Sequence, residues 1–191
     1  MAMFTTERPM NFNAGPAALP LAVLERCREE LLNFDGTGLS VMEHSHRGAS
    51  YERAHRQTTA RLRSLLDIPD GSGADGYDVL YIQGGASHQF AMVPLNLLPS
   101  GSSASYVVTG AWGERAVAEA AAIAATGGGD ARTVANTVPR KDDDAPRRLP
   151  RLGEARSSAY DSYLHLTTNE TIDGVQFATA PGAAMPDFGP A

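Results

Sequence analysis

A chain of 191 residues is long enough to bury the core of at least one domain. A hydrophobic share of 42%, a charged share of 20% and a net charge of -6 are ordinary for a globular protein and argue against nucleic acid as a partner. No apolar run approaches the ~18 residues of a membrane span, the N-terminus lacks the apolar core of a secretory signal, and one cysteine, Cys27, excludes an internal disulfide; together these predict a cytoplasmic protein.

In chain order, "LPLAVLERCREELLNF" predicts a helix with Pro20 in its first turn and Leu24, Cys27, Leu31 and Leu32 on an inner face, which makes Cys27 a small core residue. The loop "DGTGLSVMEHSHRGAS" leads to a second helix through "SYERAHRQTTARLRSLLDI", with an inner stripe of Tyr51, Ala54, His55, Thr58, Leu62, Leu65 and Leu66. "YDVLYI" predicts a short buried strand, "GGAS" a turn, and "HQFAMVPLNLL" a helix kinked at Pro94. "ASYVVTG" predicts a strand, "WGERAVAEAAAIAAT" a helix ended by "GGGD", and "RTVANTV" another strand. The charged, proline-rich "PRKDDDAPRRLPRLGEARS" predicts a surface loop or mobile insert, and "YDSYLHLTT" a last strand. Strands alternating with helices imply an α/β fold with a mainly parallel sheet and flanking helices. Ligands in such sheets lie beyond the carboxyl ends of the strands, where "GGAS", "TGAW" and "TTNET" would be gathered.

Each polar constellation has two readings. Gly84 and Gly85 bring Ala86 and Ser87 to a helix N-terminus that suits an anion, or else they form a plain turn capped by Ser87. Trp112, the only tryptophan, offers a flat face to a planar ring, or else is a core or rim aromatic. "NETIDG" holds two carboxylates and the Thr171 hydroxyl, or else is a polar turn in which Asn169 or Asp173 bonds local backbone. His46 and Arg47 suit a phosphate or carboxylate. His44 and His46 also form an H-x-H metal spacing, with both rings on one face if the segment were a strand, but no third-ligand pattern accompanies it, so no metal site is assigned.

The ordered series "FNAGPAALP", "SVMEHSHRG", "GGASHQF", "VPLNLL", "TGAWGERA" and "NETIDG", from about Met10 to about Phe177, resembles the phosphoserine aminotransferases, class V, fold-type I enzymes that use pyridoxal 5'-phosphate. The resemblance implies that Ala86 and Ser87 hold the cofactor phosphate, that Trp112 stacks on its ring and that Thr171 contacts its polar side. It also implies that His46 and Arg47 bind substrate. The implied reaction moves the amino group of L-glutamate to 3-phosphohydroxypyruvate, giving O-phospho-L-serine and 2-oxoglutarate on the route to serine, in a homodimer. His44 and Thr168 depart from the family pattern without touching these contacts, and nothing carries over to residues 127–159.

Family members are about twice this long, so the resemblance implies that residues 1–191 are part of the cofactor-binding large domain, without its remainder and without the small domain. The Schiff-base lysine does not map onto this chain: the one lysine among 16 basic residues is Lys141, in the charged loop, and no catalytic residue is assigned. The chain alone is therefore expected to be inactive, poorly soluble and edged by an unpaired strand. Two other readings are a non-catalytic phosphate-ligand-binding or assembly protein and an H-x-H metal hydrolase.

Overall fold

A computed structural model describes residues 8–71, 76–151 and 153–177. The chain divides into two compact units, one running to Tyr81 and the other beginning at Ile82.

The N-terminal unit is helical. Helix α1, Leu21–Glu30, starts after Pro20, which stands at the cap position rather than inside the first turn. It is shorter than its apolar pattern suggests, because Asn33 at φ -150° leads into a single 3-10 turn, Phe34–Gly36. Helix α2, Ala49–Leu65, follows a second such turn, Val41–Glu43, held by a capping box: the Ser40 amide donates to Glu43 Oε2 at 2.8 Å and the Ser40 hydroxyl accepts from Met42 N. No described residue of α1 or α2 is buried. Cys27 is exposed, not a core residue, and in the α2 stripe only Tyr51, Ala54 and Leu62 reach half-burial. Amphipathic periodicity prescribes which face would be covered; it does not supply the cover.

The segment 77–82 forms no strand, contrary to its apolar pattern. A strand needs a neighbour to take its backbone groups, and none pairs with it among the described residues. Side chains hold the part within this unit instead. Arg63 donates to Tyr77 O at 2.7 Å, the Tyr81 and Thr59 hydroxyls share a 3.0 Å hydrogen bond, and the Tyr81 ring lies edge-on to His55 at 4.8 Å.

The C-terminal unit contains helices α3, Gly85–Leu97, and α4, Ala111–Gly127, and strands β1, Ser103–Val108, β2, Asp130–Asn136, and β3, Asp161–Leu166. The three strands are parallel in the order β2-β1-β3, so β1 is central and each partner has an open edge among the described residues. A two-stranded antiparallel hairpin, β4 Asn169–Glu170 with β5 Val175–Gln176, follows β3; its strands are too short for a sequence pattern to reveal. Helix α3 runs through Pro94 to Leu97, and α4 ends at Gly128 in the left-handed conformation.

Two layers of side chains sandwich the sheet. On one face Ala104 and Tyr106 pack against Leu98 and the Ala116–Ala120–Ala124 stripe of α4, whose small side chains let the helix lie close. On the other, Val107 packs with Ala155 and Phe177, and with Leu149 and Leu164 at the margin. The charged insert thus lays Leu149 and Ala155 against the sheet and buries Pro150 between them in sequence, so this part of it is built into the core.

One ionic clasp joins the strands. The Asp161 carboxylate, 2% exposed, accepts from Ser103 Oγ at 2.6 Å, Ser158 N at 2.7 Å, Ser105 Oγ and Arg132, so β3 reaches across β1 to β2. Burial alone would raise the Asp161 pKa, but these four donors outweigh it and hold the carboxyl well below the usual range.

Candidate active site

Both helices of the C-terminal unit run against the strand direction. The end of α3 meets the end of α4: Gly101 N donates to Gly128 O at 2.8 Å, and a Cβ on Gly129 would lie 2.9 Å from Leu98. The two helices pack together, and β1 and β2 leave from that end. Their N-termini therefore point to the carboxyl edge of the sheet, where ligands of parallel sheets bind.

These two N-termini differ in chemistry. At α4 the cap position is Gly110, which has no side chain to offer, and the first amides are taken by the hairpin instead. Ala111 N donates to Asp173 Oδ2 at 2.6 Å, Trp112 N to Glu170 Oε2 at 2.8 Å and Gly113 N to Glu170 Oε1 at 2.8 Å. Glu170 is 0% exposed, so its charge is compensated by these amides and the helix dipole. "NETIDG" does turn, with Asp173 N bonded to Glu170 O, but the Asp173 side chain bonds Ala111 N and Arg147, far away in sequence, rather than local backbone. At α3, by contrast, Gly84 and Gly85 adopt φ 93° and 58°, no side chain caps the helix, and the amides of Gly85, Ala86 and Ser87 have no partner among the described residues. Gly84 is required twice, because a Cβ there would also lie 2.4 Å from His88 Cβ. His88 Nδ1 bonds Gln83 O at 2.9 Å and braces the turn.

Trp112 lies in the first turn of α4. Its indole Nε1 donates to Thr171 Oγ1 at 2.8 Å, and the Arg115 guanidinium lies over its ring at 5.1 Å from the centroid. The structure therefore joins Trp112 and Thr171 directly and sets Ala86 and Ser87 along the same edge.

Deeper in the sheet, the Tyr106 and Tyr163 hydroxyls share a 2.6 Å hydrogen bond and His165 stacks on Tyr106 at 4.9 Å. Burial, with the Tyr163 hydroxyl, pushes the Tyr106 pKa far up, and burial pushes His165 down, which keeps this layer uncharged. Thr109 and Thr167, the residues following β1 and β3, have buried hydroxyls without a partner among the described residues.

His46 and Arg47 belong to the N-terminal unit, in the turn before α2, and both are exposed. His46 lines a cavity of about 340 Å³ with Tyr51, Glu52, His55 and Arg56, and the Arg47 guanidinium has no partner among the described residues. His44 is turned to Thr37 Oγ1, 3.0 Å away, and to the Phe34 ring. The H-x-H segment is not a strand but a bend and turn that follows the 3-10 turn, and no group of three or more His, Cys, Asp or Glu among the described residues could hold a metal. Lys141 lies exposed in the insert. No helix among the described residues is long and apolar enough to cross a membrane.

Sequence reasoning missed the carboxylate cap of α4, Arg147 beside it and Arg115 over Trp112. The available signal was a helix opening on "TGAWG" with no capping side chain of its own.

Comparison with known proteins agrees with this fold. The model of the aminotransferase class-V family matches residues 10–181. The phosphoserine aminotransferase of Niallia circulans is 48% identical over 176 residues, which are 92% of this chain and 45% of that protein. The phosphoserine aminotransferase of Geobacillus kaustophilus is 47% identical over 180 residues, 94% of this chain and 46% of its own length. Among solved structures, a pyridoxal-phosphate-bound phosphoserine aminotransferase from Trichomonas vaginalis superposes with a TM-score of 0.78 at 34% identity, covering 93% of this chain and 49% of that one. The chain thus spans about half the length of the relatives it matches, and it belongs to the class-V aminotransferases.

Proposed function

We propose that this chain carries the cofactor-holding part of a phosphoserine aminotransferase. In that reading an amino group passes from L-glutamate to 3-phosphohydroxypyruvate, giving O-phospho-L-serine and 2-oxoglutarate, in an assembly that also includes the rest of the relatives' length, as a cytoplasmic homodimer. The observation that carries it is the contrast between the two helix N-termini at one edge: that of α4 is filled by carboxylates, whereas that of α3 presents unpartnered amides.

The residues present fit pyridoxal 5'-phosphate. The amides of Gly85, Ala86 and Ser87, with the Ser87 hydroxyl, would hold the phosphate, and the helix dipole favours the negative charge. Trp112 would orient the ring from one face. Thr171 Oγ1 accepts from Trp112, so its hydroxyl proton is available to the ring's polar side. His46 and Arg47 would bind the substrate anion. When bound, the cofactor supplies the electron sink for chemistry at the amino-acid α-carbon. Lys141 lies in an exposed, charged loop, and this chain alone is expected to be inactive.

The test is equilibrium dialysis of the chain with pyridoxal phosphate, then borohydride reduction, adduct mapping and an assay with glutamate and phosphohydroxypyruvate. We expect saturable binding that inorganic phosphate competes away and that Ser87→Ala weakens, no stoichiometric adduct on Lys141 and no turnover. Absence of saturable binding would favour a non-catalytic protein. Turnover with a Lys141 adduct would make the chain a compact aminotransferase with a relocated lysine.

A further inference from the structure

We propose that Glu170, Asp173 and Arg147 are positioning residues for Trp112, fixing the indole plane before any ligand arrives. The proposal rests on the cofactor reading of this edge.

An α-helix opens with unpaired amides, and in α4 three of them are held by carboxylates of one hairpin. Glu170 uses both oxygens on adjacent amides, which fixes the rotation of the first turn as well as its position. Thr171, the next residue, takes the indole N–H of Trp112 at 2.8 Å. Trp112 is therefore gripped at its backbone and at its ring by neighbours on the same hairpin, so the two grips cannot drift independently. Asp173 extends the grip: Oδ2 holds Ala111 N, and Oδ1 accepts from Arg147 Nε at 2.9 Å. Arg147 belongs to the insert whose Leu149 and Ala155 pack on the sheet, so the hairpin is tied to the core from behind.

The fit leaves no slack. A Cβ on Gly110 would lie 2.2 Å from Asp173 Oδ2, and one on Gly113 would lie 3.1 Å from Glu170 Oε1. With Arg115 over the ring, the indole is restrained on one face, at its N–H and at its backbone. An aromatic platform fixed in this way costs less ordering when a planar ring stacks on it.

Trp112 is the only tryptophan in the chain, so fluorescence reports on this site alone. Anisotropy and acrylamide quenching would be measured without cofactor, and energy-transfer quenching would be followed during a pyridoxal phosphate titration. Arg147→Ala should raise acrylamide quenching about twofold and weaken cofactor binding about threefold, and Glu170→Gln should weaken it about tenfold. Arg147→Lys, which keeps the charge, should bring both signals most of the way back. Glu154→Gln, which weakens the Arg148–Glu154 pair and the Arg151 amide bond of the same insert without touching the grip on Trp112, should change neither.

Far-UV circular dichroism identifies variants that fail to fold; if Glu170→Gln does, Arg147→Ala and its lysine rescue decide. Wild-type Trp112 signals in a folded Arg147→Ala chain would overturn the proposal. If pyridoxal phosphate leaves wild-type emission unchanged, the cofactor reading falls, and the cofactor-free anisotropy still decides the positioning.

Discussion

The N-terminal unit and the C-terminal unit use similar side chains to opposite effect. Leu31 and Leu32 beyond α1, and Leu65 and Leu66 at the end of α2, are exposed, whereas Tyr106, Val107 and Val108 of β1 are each 1% exposed. The difference is topological. A central parallel strand is flanked by neighbours and covered on both faces by its own crossover helix and the following loops. Two amphipathic helices without a covering layer among the described residues leave their stripes exposed or half-buried, however regular they are. Among the described residues the buried hydrophobic core therefore lies in and around the sheet.

The strongest way to break this comparison is a pair of truncations. Tyr106→Ala should cost about 3–5 kcal/mol in denaturant unfolding followed by circular dichroism, the usual range for emptying a large aromatic site in a core. Leu32→Ala should cost no more than about 0.5 kcal/mol, as for a surface change. Similar losses for both would mean that the N-terminal leucines are covered after all.

The Asp161 clasp gives the next largest effect and has a definite sign. Its folded pKa lies below its unfolded one, so its stabilisation is fully present above the unfolded value near pH 4 and is lost as pH falls further. Thermal melts of the wild type should drop steeply below about pH 4. Asp161→Asn should lose about 2 kcal/mol at pH 7 and flatten that acid limb. An unchanged acid limb in the variant would show that other carboxylates control acid unfolding.

The smallest contrast compares two glycines with positive φ. At Gly36, with φ 72°, a Cβ would meet nothing within 4 Å, whereas Gly84 combines φ 93° with the His88 clash. Gly36→Ala should cost about 1 kcal/mol from backbone strain alone, and Gly84→Ala should cost more and displace His88 from Gln83. Equal costs would show that the turn before α3 relaxes freely and is not a rigid cradle.

Local signals were the legible ones. The alanine-rich helix ended by glycines and the strands β1, β2 and β3 follow from periodicity and turn residues that lie next to one another in the chain. What stayed hidden depended on distant partners. The segment 77–82 has a strand's composition but no neighbour to pair with among the described residues. Cys27 has a core residue's spacing but no opposing layer. Glu170 caps amides 58 and 57 residues away, a pairing that no short window contains. Ala86, Ser87, Trp112 and Thr171 came from motif order, and the fold gathers their elements at one edge; His46 and Arg47 lie in the other unit.

The central claim is that the first turn of α3 is the anion cradle. The most direct measurement is a titration of the isotopically labelled chain with pyridoxal phosphate, followed by the amide chemical shifts of Gly85, Ala86 and Ser87. These three amides and the Trp112 indole N–H should shift together and saturably, and inorganic phosphate should move the three amides but not the indole. Shifts confined to other residues, such as Arg26, Arg53 and Arg61 around the polar cavity of the N-terminal unit, would contradict the claim.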